Sequence, residues 1–163
     1  MNNMIFLTGA TGLVGGNLLV RILQRDATAT ISLLVRADSN RKAEERIINH
    51  LKQLSPEIDY KSVAHRIRII CGDVTESQFG LSDEKYNELA KQTTHIVHSA
   101  ATVQFNLPLD VTRAINVGGT KQVMSFAKRV QESGSLKRVA HISTAYVSGN
   151  RSGVIYEDMD HSA

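Results

Sequence analysis

The sequence predicts an α/β fold, a doubly wound parallel sheet in three αβα layers with strand order 3-2-1-4-5. Three observations predict it. Apolar runs alternate with stretches of helical periodicity along the 163 residues. The second, fourth and fifth runs are nearly continuous in apolar residues rather than alternating, as strands covered on both faces must be. A glycine-rich turn joins the first run to the first helical stretch, the start of a βαβ unit. Strands alternating with helices through right-handed crossovers build an open parallel sheet.

The elements follow in order. Met4 to Leu7 is strand one, and a helix runs from about Leu13 to Gln24 with Leu13, Leu18, Leu19 and Ile22 near one face. Ile31 to Val35 is strand two. Arg41 to Leu54 is helical, with Ala43, Ile47, Ile48, Leu51 and Leu54 inward, and Ser55-Pro56 ends it. Arg66 to Ile70 is strand three. Ser82 to Lys91 is helical, opening on Ser82-Asp83-Glu84-Lys85, and His95 to His98 is strand four. A long helix spans about Leu109 to Gln131, with a break expected near Gly118-Gly119. Ser133-Gly134-Ser135 closes it, Arg138 to Ile142 is strand five, and a loop follows Ser143. With no linker, internal repeat or low-complexity tract, residues 1–163 read as one domain, whose sheet is expected to be truncated on its C-terminal side.

Composition narrows the function classes. The chain is 42% hydrophobic and 21% charged, with two prolines, a globular balance. No run approaches the roughly 18 apolar residues of a membrane span. The N-terminus lacks a basic region ahead of a long apolar core, so no signal peptide is read. The single cysteine, Cys71, excludes an internal disulfide and suits a reducing compartment, and a cytoplasmic location is expected. The net charge of +3 is spread among acids, as in Arg41-Lys42-Ala43-Glu44-Glu45-Arg46, without aromatic interleaving. No nucleic-acid role is expected. Six scattered histidines and one cysteine form no metal set.

Candidate binding residues cluster after the strands. Thr8-Gly9-Ala10-Thr11-Gly12-Leu13-Val14-Gly15 carries the spacing G-x-x-G-x-x-G. Gly9 allows the tight turn, Gly12 lets backbone approach a diphosphate, and Gly15 lets the helix pack close to the strand, a Rossmann-like arrangement. Arg36 follows strand two, twenty-one positions after Gly15, where an acid would accept from a ribose 2′-OH. A guanidinium there suits a 2′-phosphate, and Arg41 could add a second charge. Asp38 is the competing acidic signal, beyond the strand end. NADP(H) is therefore expected, ahead of NAD(H). Asp73, after strand three, is placed for an adenine amino group or as a turn residue. His98-Ser99-Ala100-Ala101 follows strand four, its small residues letting backbone lie close to cofactor sugars. The glycines of Asn116-Val117-Gly118-Gly119-Thr120 suggest close packing of the long helix on strand four, since glycine costs about 1 kcal/mol in a helix interior. Asn116 is placed to bond backbone beside the site. Ser143-Thr144-Ala145-Tyr146 ends strand five; its hydroxyls either bind a substrate carbonyl or satisfy backbone at the strand end.

Taken together, these motifs resemble the extended short-chain dehydrogenase/reductase family over essentially the whole chain. They are Thr8 to Gly15, Leu34-Val35-Arg36, Gly72-Asp73-Val74, His98 to Phe105, Asn116 to Thr120 and His141 to Val147. Nearest in look is the branch of fatty acyl-CoA reductases and thioester-reductase domains, the male-sterility type. The resemblance implies Thr144 as the catalytic hydroxyl and Gly9, Gly12, Leu13 and Val14 around the pyrophosphate. It also implies Arg36 at the 2′-phosphate, Asp73 and Val74 beside adenine, Ala100 and Ala101 along the ribose, and Thr102 near the nicotinamide. Thr8, Thr11, Gly15, Ser99, Asn116, Ile142 and Ser143 complete the expected cofactor site. The implied reaction is hydride transfer from NADPH to an acyl thioester, carried on CoA or a carrier protein, giving an aldehyde or alcohol in lipid metabolism. A homo-oligomer would fit the family. The resemblance also implies a Tyr-x-x-x-Lys pair downstream, yet no tyrosine here has a lysine four residues later. The chain is thus expected to be the N-terminal cofactor part of a longer reductase, inactive by itself. Two alternatives stand beside this: a non-catalytic NAD(P)-binding sensor or scaffold, and an NAD-dependent epimerase or hydroxysteroid dehydrogenase.

Overall fold

The structure, a computed structural model, describes residues 3–144, 149 and 151–156. Its elements are β1 (Met4–Thr8), α1 (Leu13–Arg25), β2 (Thr30–Val35), α2 (Asn40–Leu54), α3 (Tyr60–Val63), β3 (Ile67–Cys71), α4 (Asp83–Gln92), β4 (His95–His98), α5 (Leu109–Arg113), α6 (Gly119–Glu132) and β5 (Arg138–His141). The five strands form one sheet in the order β3-β2-β1-β4-β5, every pairing parallel. That is the order the sequence predicts.

Successive strand residues point to opposite faces, and the two cores show it. Leu7, Leu33 and Val35 pack with Leu19, Val20, Leu23, Ala43, Ile47 and Leu51 of α1 and α2. Phe6, Leu34 and Ile96 pack with Tyr86, Leu89, Val123, Phe126 and Val130 of α4 and α6. Phe6 lies 4.8 Å from Phe126 and 5.4 Å from Phe79, ring centroid to centroid. Each such pair is worth about 0.5–1.5 kcal/mol beyond its area burial.

Several sequence expectations are corrected. Leu13 lies outside the core, since the inward face of α1 carries Gly15, Gly16, Leu19, Val20 and Leu23. Arg66 lies outside β3 and is buried; its guanidinium donates to the carbonyls of Leu23, Asp26 and Ala29, closing the C-terminal end of α1. β5 ends at His141, and Ile142 continues as a loop whose N–H donates to the His98 carbonyl at 2.9 Å. The long helix is divided by a π turn at Ala114–Gly118. Gly119 packs on Val74 of the loop after β3 rather than on β4: a Cβ there would stand 3.0 Å from Val74 Cγ2. The short helix at Tyr60–Val63 and the turn at Ser77–Gly80 have no counterpart in the sequence reading. Among the described residues no helix is long and apolar enough to cross a membrane.

Candidate functional site

The carboxyl ends of β1 to β4 open on a cavity of about 420 Å³. Four loops line it, at Gly9, Thr11 and Gly12, at residues 34–36, at 72–75 and at 99–104, with Arg46, Leu107 and Ile115 at its margin. Strand order reverses at β1, between β2 and β4. That switch point is where open α/β sheets bind their ligands.

The glycine turn is packed closely against its neighbours. Gly9 has φ +77° and a Cβ there would fall 2.6 Å from Ala100 N. Gly12 N–H donates to the Gly9 carbonyl at 2.9 Å, and a Cβ on Gly15 would meet that same carbonyl oxygen at 2.2 Å. Gly15 is therefore buried packing, while Gly12 is exposed and caps α1 with no side-chain bond and no acid in the first turn. The N-terminus of α1, with its unpaired N–H groups and positive dipole end, follows directly on Gly12, which lines the cavity. Leu13 and Val14 are exposed on that first turn and do not line it. Thr8 is fully buried beneath the turn.

At the end of β2, Arg36 lines the cavity with its side chain 74% exposed, 3.8 Å from the Asp73 carboxylate. Arg41 does not line it; its guanidinium pairs with Glu45 at 2.7 Å, 78% exposed. The second cation is Arg46, which sequence reasoning missed. It donates to the Arg36 carbonyl and to Thr11 Oγ1 at 3.3 Å, tying α2 to both loops. One signal lay in the phase of α2. Arg46 and His50 share a face flanking the buried Ala43, Ile47 and Leu51, and His50 Nε2 reaches the Gly12 carbonyl at 3.2 Å. Asp38 pairs with Lys42 at 2.6 Å, away from the lining. Asp73 accepts from the Thr75 N–H and hydroxyl, each at 2.9 Å, so it holds its own turn while facing the cavity.

On the opposite side, Ser99, Ala100, Ala101 and Thr102 line the cavity. Asn116, in the π turn, clamps Thr102 twice. Its Oδ1 accepts from Thr102 N–H at 2.8 Å and its Nδ2 donates to the Thr102 carbonyl at 3.1 Å. Val74, in the loop after β3, also lines the cavity. Ile142, Ser143 and Thr144 follow β5 at the same sheet edge, exposed and outside the cavity lining. Residues 145–147, which complete the motif at Tyr146, lie outside the described residues.

Between these loops lies His98, 2% exposed, its ring stacked on His141 at 5.2 Å. Burial, with a smaller contribution from His141, lowers its pKa to about 4. The folded state thus resists a proton that an unfolded histidine takes up below about pH 6.5. Stability is full above that value and falls as pH drops towards 4, by about 3 kcal/mol in all. Urea unfolding of wild type and His98→Asn at pH 7 and pH 4.5 should show the larger loss in wild type; equal losses would refute the assignment.

The parallel sheet, the switch-point cavity and the glycine turn define a Rossmann-like dinucleotide-binding domain. Residues 7–163 match the Male sterility protein family (NAD_binding_4). The chain belongs to that family and is an NAD(P)-binding domain of its kind. It is 32% identical over 154 residues to fatty acyl-CoA reductase wat of Drosophila melanogaster, covering 90% of this chain and 28% of that protein. It is also 32% identical over 167 residues to the alcohol-forming fatty acyl-CoA reductase of Simmondsia chinensis, covering 96% of this chain and 33% of that one. The terminal R domain of the myxalamid PKS-NRPS pathway superposes with a TM-score of 0.84 at 32% identity, over 97% of this chain and 39% of that one. The chain therefore spans about a third or less of the length of these two reductases.

Proposed function

We propose that the cavity takes NADP(H) and that the chain is the cofactor-binding part of a reductase acting on acyl thioesters. The convergence of Arg36 and Arg46 on one rim carries the choice of NADP(H) over NAD(H). Two guanidiniums suit a 2′-phosphate dianion far better than a ribose hydroxyl. The cavity suits the rest of the molecule: Gly9, Thr11 and Gly12 with the α1 terminus for the diphosphate, Asp73 and Val74 for adenine, and Ala100 to Thr102 for the nicotinamide ribose. When bound, NADPH supplies the hydride. In this reading Thr144 orients and polarises the substrate carbonyl, and Asn116 fixes Thr102 in place.

The thioester substrate rests on the kinship with fatty acyl-CoA reductases and an R domain. It includes either CoA or a carrier protein as the acyl carrier, a role in lipid metabolism and a cytoplasmic setting, which suits the free Cys71. No tyrosine in these 163 residues has a lysine four positions later. The chain alone is accordingly expected to bind dinucleotide without sustained acyl-CoA-dependent NADPH oxidation.

Calorimetric titration with NADPH and NADH tests the cofactor reading. NADPH should bind more tightly, and Arg36→Ala or Arg46→Ala should each weaken it about tenfold or more, the scale of a charge-assisted hydrogen bond. NADH should be nearly indifferent to Arg36→Ala and lose less than NADPH in Arg46→Ala, whose guanidinium also ties down Thr11. Equal or tighter NADH binding by wild type would remove the argument.

A further inference from the structure

Four hydrogen-bonding groups connect the phosphate turn to the clamp on Thr102, and their protons can be assigned without being seen. Thr120 Oγ1 lies 2.6 Å from the Asn116 carbonyl in the π turn. A carbonyl only accepts, so the Thr120 hydroxyl spends its single proton there. Towards His98 Nε2, 3.2 Å away, it can then only accept, and Nε2 must carry a hydrogen. In a neutral ring this leaves Nδ1 bare, and it accepts from Thr8 Oγ1 at 2.7 Å. Thr8 Oγ1 in turn accepts from Ala100 N–H at 3.2 Å and from Ser99 N–H at 3.3 Å, the latter shared with the Thr8 carbonyl at 3.3 Å. Every donor in the chain has an acceptor, and all bonds run in one direction. The ring is neutral near pH 7 because burial, and secondarily the stacked His141, disfavour its charged form.

We infer that His98 is a positioning residue, fixed as the Nε2–H tautomer by Thr120 and the π-turn carbonyl, which holds the Ser99–Ala100 loop against the glycine turn through Thr8. Backbone contact carries the effect further, since Gly9 leaves no room for even a Cβ against Ser99 and Ala100. Movement of this loop therefore moves the phosphate turn. Asn116 joins both ends, its carbonyl setting the tautomer and its side chain clamping Thr102.

Two dinucleotide-free measurements on the full 163-residue chain test the relay, and a binding measurement, which rests on the reading above, is kept separate. Nitrogen-15 NMR at neutral pH is expected to show His98 with a protonated Nε2 and a bare Nδ1. Thr120→Val should release the ring into mixed tautomers, and Thr120→Ser, which keeps the hydroxyl, should restore one. Hydrogen exchange at Ala100 should quicken about tenfold in His98→Gln, whose amide sits at the Nε2 end of the ring and leaves the Nδ1 position without an acceptor for Thr8, the scale of one buried hydrogen bond. His98→Asn, whose amide oxygen replaces Nδ1, should stay near wild type. A protonated Nδ1 in wild type, an unmoved tautomer in Thr120→Val, or unchanged exchange in a folded His98→Gln would overturn the inference. The Thr120 pair leaves position 98 intact and decides the matter even if the His98 variants do not fold. Should the relay respond as expected while wild type binds neither NADPH nor NADH, the relay stands and the dinucleotide reading falls.

Discussion

Gly15→Ala is expected to abolish dinucleotide binding and to destabilise the domain by about 1–3 kcal/mol, the cost of forcing extra volume into close packing. The new methyl would stand 2.2 Å from the Gly9 carbonyl oxygen and 2.6 Å from its carbon, both backbone, so α1 or the turn must move. Any such movement displaces the N-terminal N–H groups of α1, which the proposed function assigns to the diphosphate. Gly134→Ala is the appropriate comparison. Its φ of +77° makes alanine unfavourable there, yet nothing lies within 4 Å of the added methyl and the site is far away in sequence. Thermal unfolding together with NADPH titration checks the pair: both variants should lose some stability, and only Gly15→Ala should lose binding. Unimpaired binding by Gly15→Ala would show that the turn tolerates a shift the geometry forbids.

Arg66→Met should cost more in stability, about 3–5 kcal/mol, by deleting a buried charge bonded to three carbonyls while keeping most of its volume. Those carbonyls, of Leu23, Asp26 and Ala29, lie at the end of α1 and just before β2, where the helix dipole also favours a cation. In the variant the buried Leu23 and Ala29 residues lose this partner at their carbonyls, while the Asp26 carbonyl keeps the Ala29 N–H at 3.4 Å. Since domains of this kind are stable by only about 5–15 kcal/mol, a large part of the total is at stake. Urea unfolding at pH 7 measures it, and a loss under 1 kcal/mol would mean that water replaces the guanidinium without penalty.

Arg66 also illustrates what a sequence conceals. The strands were legible because two-faced burial writes itself as apolar runs, and the glycine turn because its backbone tolerates so few residues. The buried arginine reads as one more polar residue at a strand start, because its partners are backbone carbonyls 37 to 43 residues away, which have no sequence signature. Arg46 was hidden for a related reason. It sits in a run of alternating charges, and only the rotation of α2 against the glycine turn separates it from Arg41, five residues earlier. The turn at Gln78 and Phe79, with φ of +51° and +62°, was illegible because neither residue favours the left-handed region. Tertiary burial of Phe79 imposes it, and the Phe79 carbonyl then accepts from Asp73 N–H at 3.1 Å to hold the loop after β3.

The central place of β1 in the sheet has a consequence for the order of events during synthesis. Its neighbours are β2 and β4, and Thr8 pairs with His98, ninety residues later. The glycine turn is thus made about ninety residues before its opposite wall exists. At about 5–20 residues per second the wait is on the order of ten seconds. Throughout that interval one edge of β1 has no strand beside it, and an unpaired edge of Met-Ile-Phe-Leu-Thr is a template for the wrong partner. The nascent chain is therefore exposed to misassociation while the glycine turn is already made and β4 is not.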